Sequence, residues 1–271
     1  MVSLELEARL DNLLVTAQEE TAHIDLFTPI PEREECPICM IPLPIGEEGT
    51  IFMKCCGKTI CRGCGYKAVE TDEKNGVDPF MMGMCAFCRQ PPIHPKNQIK
   101  ALKKLMKKNN PKAFVIMATR YEEGNSVIQS DTKSLEMRIR AAELGSAQAI
   151  GLIGKFYEVG RVVEQNMSKV FEFLEVSAKK RSVLAHHLLA LYEEDINIQK
   201  SIKHYKVAAC AGYRPAMDGL MNLYRYKLLS KEDLAQTLRA FQVSNDLTKS
   251  KERDYARALN RQVEMATKGG R

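Results

Sequence analysis

Residues Phe52–Lys67, FMKCCGKTICRGCGYK, decide how the first third of this chain folds. They hold four of its nine cysteines, two of them adjacent. Reading outward, sulfur pairs flank the stretch on both sides. Cys36-x2-Cys39 precedes it, Cys61-x2-Cys64 lies within it and Cys85-x2-Cys88 follows it. A CxxC pair places two thiolates on one turn, at the angle a tetrahedral zinc needs. With Cys55 and Cys56 the pairs make eight ligands, enough for two closed four-sulfur sites. Closed sites are structural, because no position is left for water or substrate. No histidine stands among the eight, so a metalloenzyme is disfavoured. Iron–sulfur ligation is the alternative, but the long paired spacing fits zinc better. The Gly57–Thr59 GKT is not a phosphate loop, since the first glycine of that motif would fall on Phe52.

Composition sets the frame for those sulfurs. The 271 residues are 45% hydrophobic and 27% charged, ordinary values for a globular chain with room for two small domains. The N-terminus, MVSLELEARLDNLL, carries acids from Glu5 on and has no continuous apolar core, so it does not read as a signal peptide. Apolar runs fall far short of the roughly 20 residues of a bilayer-spanning helix. The expectation is an intracellular protein of cytoplasm or nucleus with no membrane partner. In that reducing setting clustered thiols favour metal over disulfide.

Breaks in the chain mark out its organisation. Leu6, Leu10, Leu13 and Leu14 have helical spacing, so residues 1–30 are expected to be an amphipathic helix and linker, packed on this chain or on a second copy. TPIPEREE and RQPPIHPKN bound the cysteine module at 31–95. The segment Lys96–Lys112 has seven lysines and no acid. It reads as a basic linker helix over 96–112 with Ile99, Leu102, Leu105 and Met106 as its buried stripe. Without interleaved aromatics, nucleic acid is not an expected partner. From 113 to 246 a 36-residue period appears. Ala113, Tyr121, Gly124 and Val127 recur as Ala149, Tyr157, Gly160 and Val163. The units are 113–146, 147–182, 183–213 and 214–246, with a C-terminal helix or tail over 247–271. Cys210, between alanines, is expected to be a small packed residue. His186 and His187 are read as structural.

Two resemblances follow from these patterns. The small–large pattern, the tyrosine before an acid and the loop glycine resemble Sel-one-like repeats, relatives of the tetratricopeptide repeat. CPICMIPLPIGEEGTIFMKCCGKTICRGC followed by CAFCRQP resembles an all-cysteine RING finger. The fold class is thus a small zinc-stapled α+β RING domain plus an all-α helical repeat solenoid. The RING resemblance implies two zinc ions in interleaved sites. Cys36, Cys39, Cys61 and Cys64 would hold the first, and Cys55, Cys56, Cys85 and Cys88 the second. Lys58 stands where the common pattern has a ligating histidine, and Cys55 replaces that ligand. Neighbouring side chains on a regular strand point to opposite faces, so the backbone must turn at Cys55–Cys56, and Gly57 permits it. Lys54, Lys58, Arg62, Lys67 and Arg89 would offset the thiolate charge.

The same resemblance implies a ubiquitin ligase acting by positioning. Ile38, Phe87 and Pro91, with Pro92, would contact a ubiquitin-conjugating enzyme, Arg89 would position ubiquitin, and the repeats would bind a target protein. The sequence departs from that pattern at Ala86, where proline is common, and in having no tryptophan. A non-catalytic protein–protein adaptor is the alternative.

Overall fold

The computed structural model describes residues 4–30, 33–46, 49–76 and 83–268, with side chains through 259. Pro31, in the TPIPEREE segment that bounds the cysteine module, lies outside them. In chain order the elements are α1 (Leu4–Thr21), β1 (Thr50–Met53), β2 (Lys58–Cys61), α2 (Arg62–Lys74), α3 (Gln98–Met106), α4 (Pro111–Glu123), α5 (Asp131–Glu143), α6 (Ala147–Val159), α7 (Met167–Lys179), α8 (Val183–Glu193), α9 (Ile198–Cys210), α10 (Arg214–Arg225), α11 (Lys231–Asp246) and α12 (Lys251–Lys268). They form two compact units, Met1–Ile30 with Leu102–Phe241, and Pro31–Ala101 with Gln242–Arg271.

The first unit is a stack of helical hairpins. Within hairpins α4 packs on α5, α6 on α7 and α8 on α9; between them α5 meets α6, α7 meets α8 and α9 meets α10. Its period is visible atom by atom. Asn110, Ser146 and Ser182 cap α4, α6 and α8 by accepting the N–H of Ala113, Ala149 and Ala185. Gly124 and Gly160 end α4 and α6 with the same left-handed φ of 68°, a conformation in which glycine carries no Cβ penalty. Just beyond, Gln129 Nε2 donates to Glu122 O at 2.8 Å, and Gln165 Nε2 repeats this to Glu158 O at 2.9 Å. Phe173, Leu135, Ile139 and Ile153 are fully buried between the layers.

The N-terminal helix belongs to this stack. α1 packs against α5 and α7, burying Leu6, Leu10 and Leu14. The expected choice between its own chain and a second copy thus falls to its own chain. Exposed ion pairs, Arg9–Glu143 at 2.7 Å and Lys169–Asp11 at 2.9 Å, flank the seam and add little beside its apolar contact. In α3, Leu102 and Leu105 are buried while Lys100, Lys103 and Lys104 are exposed. The lysines form a solvated face.

His186 and His204 face each other inside this unit, Nδ1 to Nδ1 at 3.0 Å, so one ring donates and the other accepts. Burial lowers His186 to about 4, against a backbone hydrogen bond at Ala178 that raises it. Burial, then the charges of His186 and Lys200, lowers His204 to about 3. Both values lie below the ~6.5 of an unfolded histidine, so the unfolded chain takes up protons first. The stability these rings contribute is complete above about pH 6.5 and is lost as pH falls toward 4. At pH 5 the unfolding free energy of the helical transition, read from urea titration, should fall below its pH 7 value by on the order of 2 kcal/mol. His204→Phe should flatten that slope; an unchanged slope would assign the pH dependence elsewhere.

The second unit has a small core of Cys36, Leu43, Ile60 and Cys61. β1 and β2 pair antiparallel, Thr50 opposite Cys61 and Met53 opposite Lys58. Helix α2 follows β2 directly, and α12 packs along α2.

Candidate metal centres

The hairpin turn between β1 and β2 consists of Lys54, Cys55, Cys56 and Gly57. The N–H groups of Cys56 and Gly57 both donate to Met53 O, at 3.1 and 2.7 Å. Gly57 has φ 78°. The adjacent cysteines therefore sit on a turn, where neighbouring side chains can converge.

Two CxxC knuckles share one design. Cys36 N–H donates to Ile41 O at 3.0 Å and Met40 N–H to Cys36 O at 2.8 Å. Cys85 N–H donates to Gln90 O and Arg89 N–H to Cys85 O, both at 2.9 Å. Met40 and Arg89 occupy the same place, each at φ 56°. The third pair starts a helix: Cys61 is the N-cap of α2, and its sulfur accepts the Cys64 N–H at 3.4 Å. The helix dipole favours negative charge there, but burial raises the Cys61 thiol.

These turns gather the sulfurs into two groups of four, Cys36, Cys39, Cys61 and Cys64, and Cys55, Cys56, Cys85 and Cys88. Within each group all Sγ atoms lie within 4.8 Å of one another. The groups interleave along the chain. A tetrahedral zinc with Zn–S near 2.3 Å requires S···S separations of about 3.8 Å. Cys39 and Cys61 stand 3.9 Å apart and Cys56 and Cys85 3.5 Å, too far for a disulfide and suited to a shared ion. Each group can hold a metal ion, and its four-thiol donor set suits zinc.

The backbone prepares one sulfur in each group. Burial pushes the Cys36 thiol up, but the N–H groups of Cys61, Cys39 and Ile38, with the Cys39 side chain, outweigh it and lower the pKa to about 7. Cys85 is lowered to about 7 in the same way by Cys88 and Phe87. Burial and the neighbouring sulfurs raise Cys55 and Cys64. Metal binding would have to displace those protons.

Among the described residues, the most buried cation of this unit is one the sequence did not single out. Arg253 of α12 is only 5% exposed. Its Nη2 donates to Cys39 Sγ at 3.5 Å and to Ile41 O at 3.0 Å, and its Nη1 donates to Pro42 O at 2.6 Å and to Thr248 O at 2.9 Å. Two cations expected beside the sulfurs have other partners. Lys67 pairs with Glu252 at 3.1 Å and Lys54 donates to Gln98 at 2.8 Å. The glycines around Cys64 were the available signal, since glycine is a poor residue inside a helix. A Cβ on Gly63 would lie 2.8 Å from Arg253 N, and one on Gly65 2.5 Å from Ile51 Cδ1. Both mark close approaches to α2.

The remaining candidates are placed as follows. Ile38 is 41% exposed and Phe87 38%. Each is the residue before the second cysteine of its knuckle. Pro91, Pro92 and Arg89 are exposed too. Cys210 corrects an expectation: it is exposed, not packed. Ala208 and Ala209 are fully buried, and the next residue of the helix turns outward.

No family model matches this chain, and no curated protein matches it. Among solved structures it is similar to a Sel1 repeat protein from Oxalobacter formigenes, with 23% identity and a TM-score of 0.48 over 69% of this chain and 85% of that one. It is also similar to a protective antigen of uropathogenic Escherichia coli that displays an SLR fold, with 20% identity and a TM-score of 0.46. That match covers 66% of this chain and 37% of the other. The repeat character of this chain stands on its own hairpins and their shared caps.

Proposed function

We propose that this protein is a RING-type ubiquitin ligase, with a zinc-stapled module that recruits a charged ubiquitin-conjugating enzyme and helical repeats that hold a target protein. The observation that carries this reading is the interleaved pairing of eight sulfurs with apolar side chains exposed on both knuckles. Such a module transfers nothing through itself; it holds the thioester in a reactive pose. Arg89 is the ubiquitin-positioning residue, since its guanidinium presents five donors in a rigid fork. Ile38, Phe87 and Pro91 supply the apolar contact to the conjugating enzyme.

Discharge assays with a panel of conjugating enzymes test this. Arg89→Ala should slow ubiquitin discharge tenfold or more, about 1.4 kcal/mol of barrier, with zinc content unchanged. Arg89→Lys should rescue poorly, because an ammonium lacks the fork. Ile38→Ala should weaken conjugating-enzyme binding itself. Were Arg89 only a charge offset, Arg89→Ala would weaken zinc retention and Arg89→Lys would restore it. A chain without discharge activity in any pairing would act instead as a zinc-stapled adaptor. The absence of tryptophan and the alanine at Ala86 favour that second reading. In either case crosslinks to a captured target should map to 113–246; crosslinks confined to 31–95 would move target binding to the wrong half.

A further inference from the structure

We propose that α12 is a clasp on the first metal site, so that zinc binding at Cys36, Cys39, Cys61 and Cys64 and docking of α12 are coupled through Arg253. The inference rests on the metal reading of that cluster and is independent of ligase activity.

Three observations carry it. Arg253 reaches a ligand sulfur and two carbonyls of the first knuckle at once. One of these, Ile41 O, also accepts the Cys36 N–H that closes the knuckle. The clasp therefore grips the peptide that shapes the ligand pair. Second, the guanidinium is buried and fixed in charge. A divalent ion with four thiolates is a net anion and gives the guanidinium its counter-charge. When the metal leaves, that counter-charge goes with it and a buried cation remains without one, which is strongly unfavourable. Third, the fit is close. The α12 backbone at Arg253 crosses α2 at Gly63, where a Cβ would collide at 2.8 Å. Coupling of this kind is reciprocal: whatever α12 docking adds to zinc affinity, zinc adds to docking.

The test uses the full-length zinc-loaded chain, a chromogenic chelator and amide hydrogen exchange. Arg253→Gln should release one zinc equivalent at least tenfold faster than wild type and the other at the wild-type rate, and Arg253→Lys should fall between. Gly63→Ala, which keeps the arginine but crowds its backbone, should reproduce the fast phase. Wild-type protein stripped of zinc should lose exchange protection over 251–257, and zinc should restore it. That arm needs no variant and decides the matter if a substituted chain misfolds. Wild-type release of both equivalents from Arg253→Gln would overturn the clasp, as would equal α12 protection with and without zinc. A wild-type chain that binds no zinc would remove the metal reading and the clasp together.

Discussion

Chelation should release two zinc ions per chain and unfold the cysteine unit while the helical repeats stay folded. The difference lies in the cores. Among the described residues the cysteine unit's buried cluster is Cys36, Leu43, Ile60 and Cys61, two of them candidate ligands, so little apolar burial remains once the sulfurs part. Structural zinc contributes an apparent 10–16 kcal/mol or so to small domains of this kind, more than the usual margin of about 5–15 kcal/mol for a whole domain. The repeats bury Leu135, Ile139, Ile153, Phe173 and Leu189 in an apolar cluster. Elemental analysis should therefore read two zincs, and far-UV circular dichroism should keep most of its helical signal after chelation. One zinc per chain would overturn the two-site pairing. Cys55→Ser should lose mainly the second ion; retention of both would make Cys55 a bystander.

Phe173→Ala should cost the repeat unit about 3–5 kcal/mol, the range for deleting a buried aromatic ring. Phe173 is fully buried in α7 and stacks on Tyr157 at 5.7 Å between centroids. A Cβ on Gly154 would come within 3.7 Å of Phe173 Cβ, so the two helices are already in close approach and have little room to collapse further into the void. Zinc content should not change, because both four-sulfur groups lie in the other unit. Urea titration of the helical signal checks this. A loss under about 1 kcal/mol would mean that the ring does not sit at the centre of the stack.

What was legible in the sequence was what neighbours in the chain decide. The 36-residue spacing of Tyr121, Gly124 and their counterparts encodes caps and glycine turns formed within a few residues, and these recur in the structure with the same partners. The turn at Cys55–Cys56 is local as well, because Gly57 and the backbone at Met53 make it. Arg253 was illegible for the opposite reason. Its separation from Cys39 is 214 residues, and in a polar helix containing Lys251, Arg253 and Arg257 nothing marks the one that is buried. Cys210 was misread because its alanine neighbours imply an apolar face, while the helical step between Ala209 and Cys210 carries the thiol off that face.

The interval between Cys39 and Arg253 also sets an order of events during synthesis. Those 214 residues take about 10–40 s to translate at common ribosome speeds. For most of that time the four sulfurs of the first group have been made and the arginine that grips them has not, while the hairpins between are completed one by one. On the zinc reading, the nascent chain thus carries a half-built thiol cluster open to oxidants and stray metals until α12 is made.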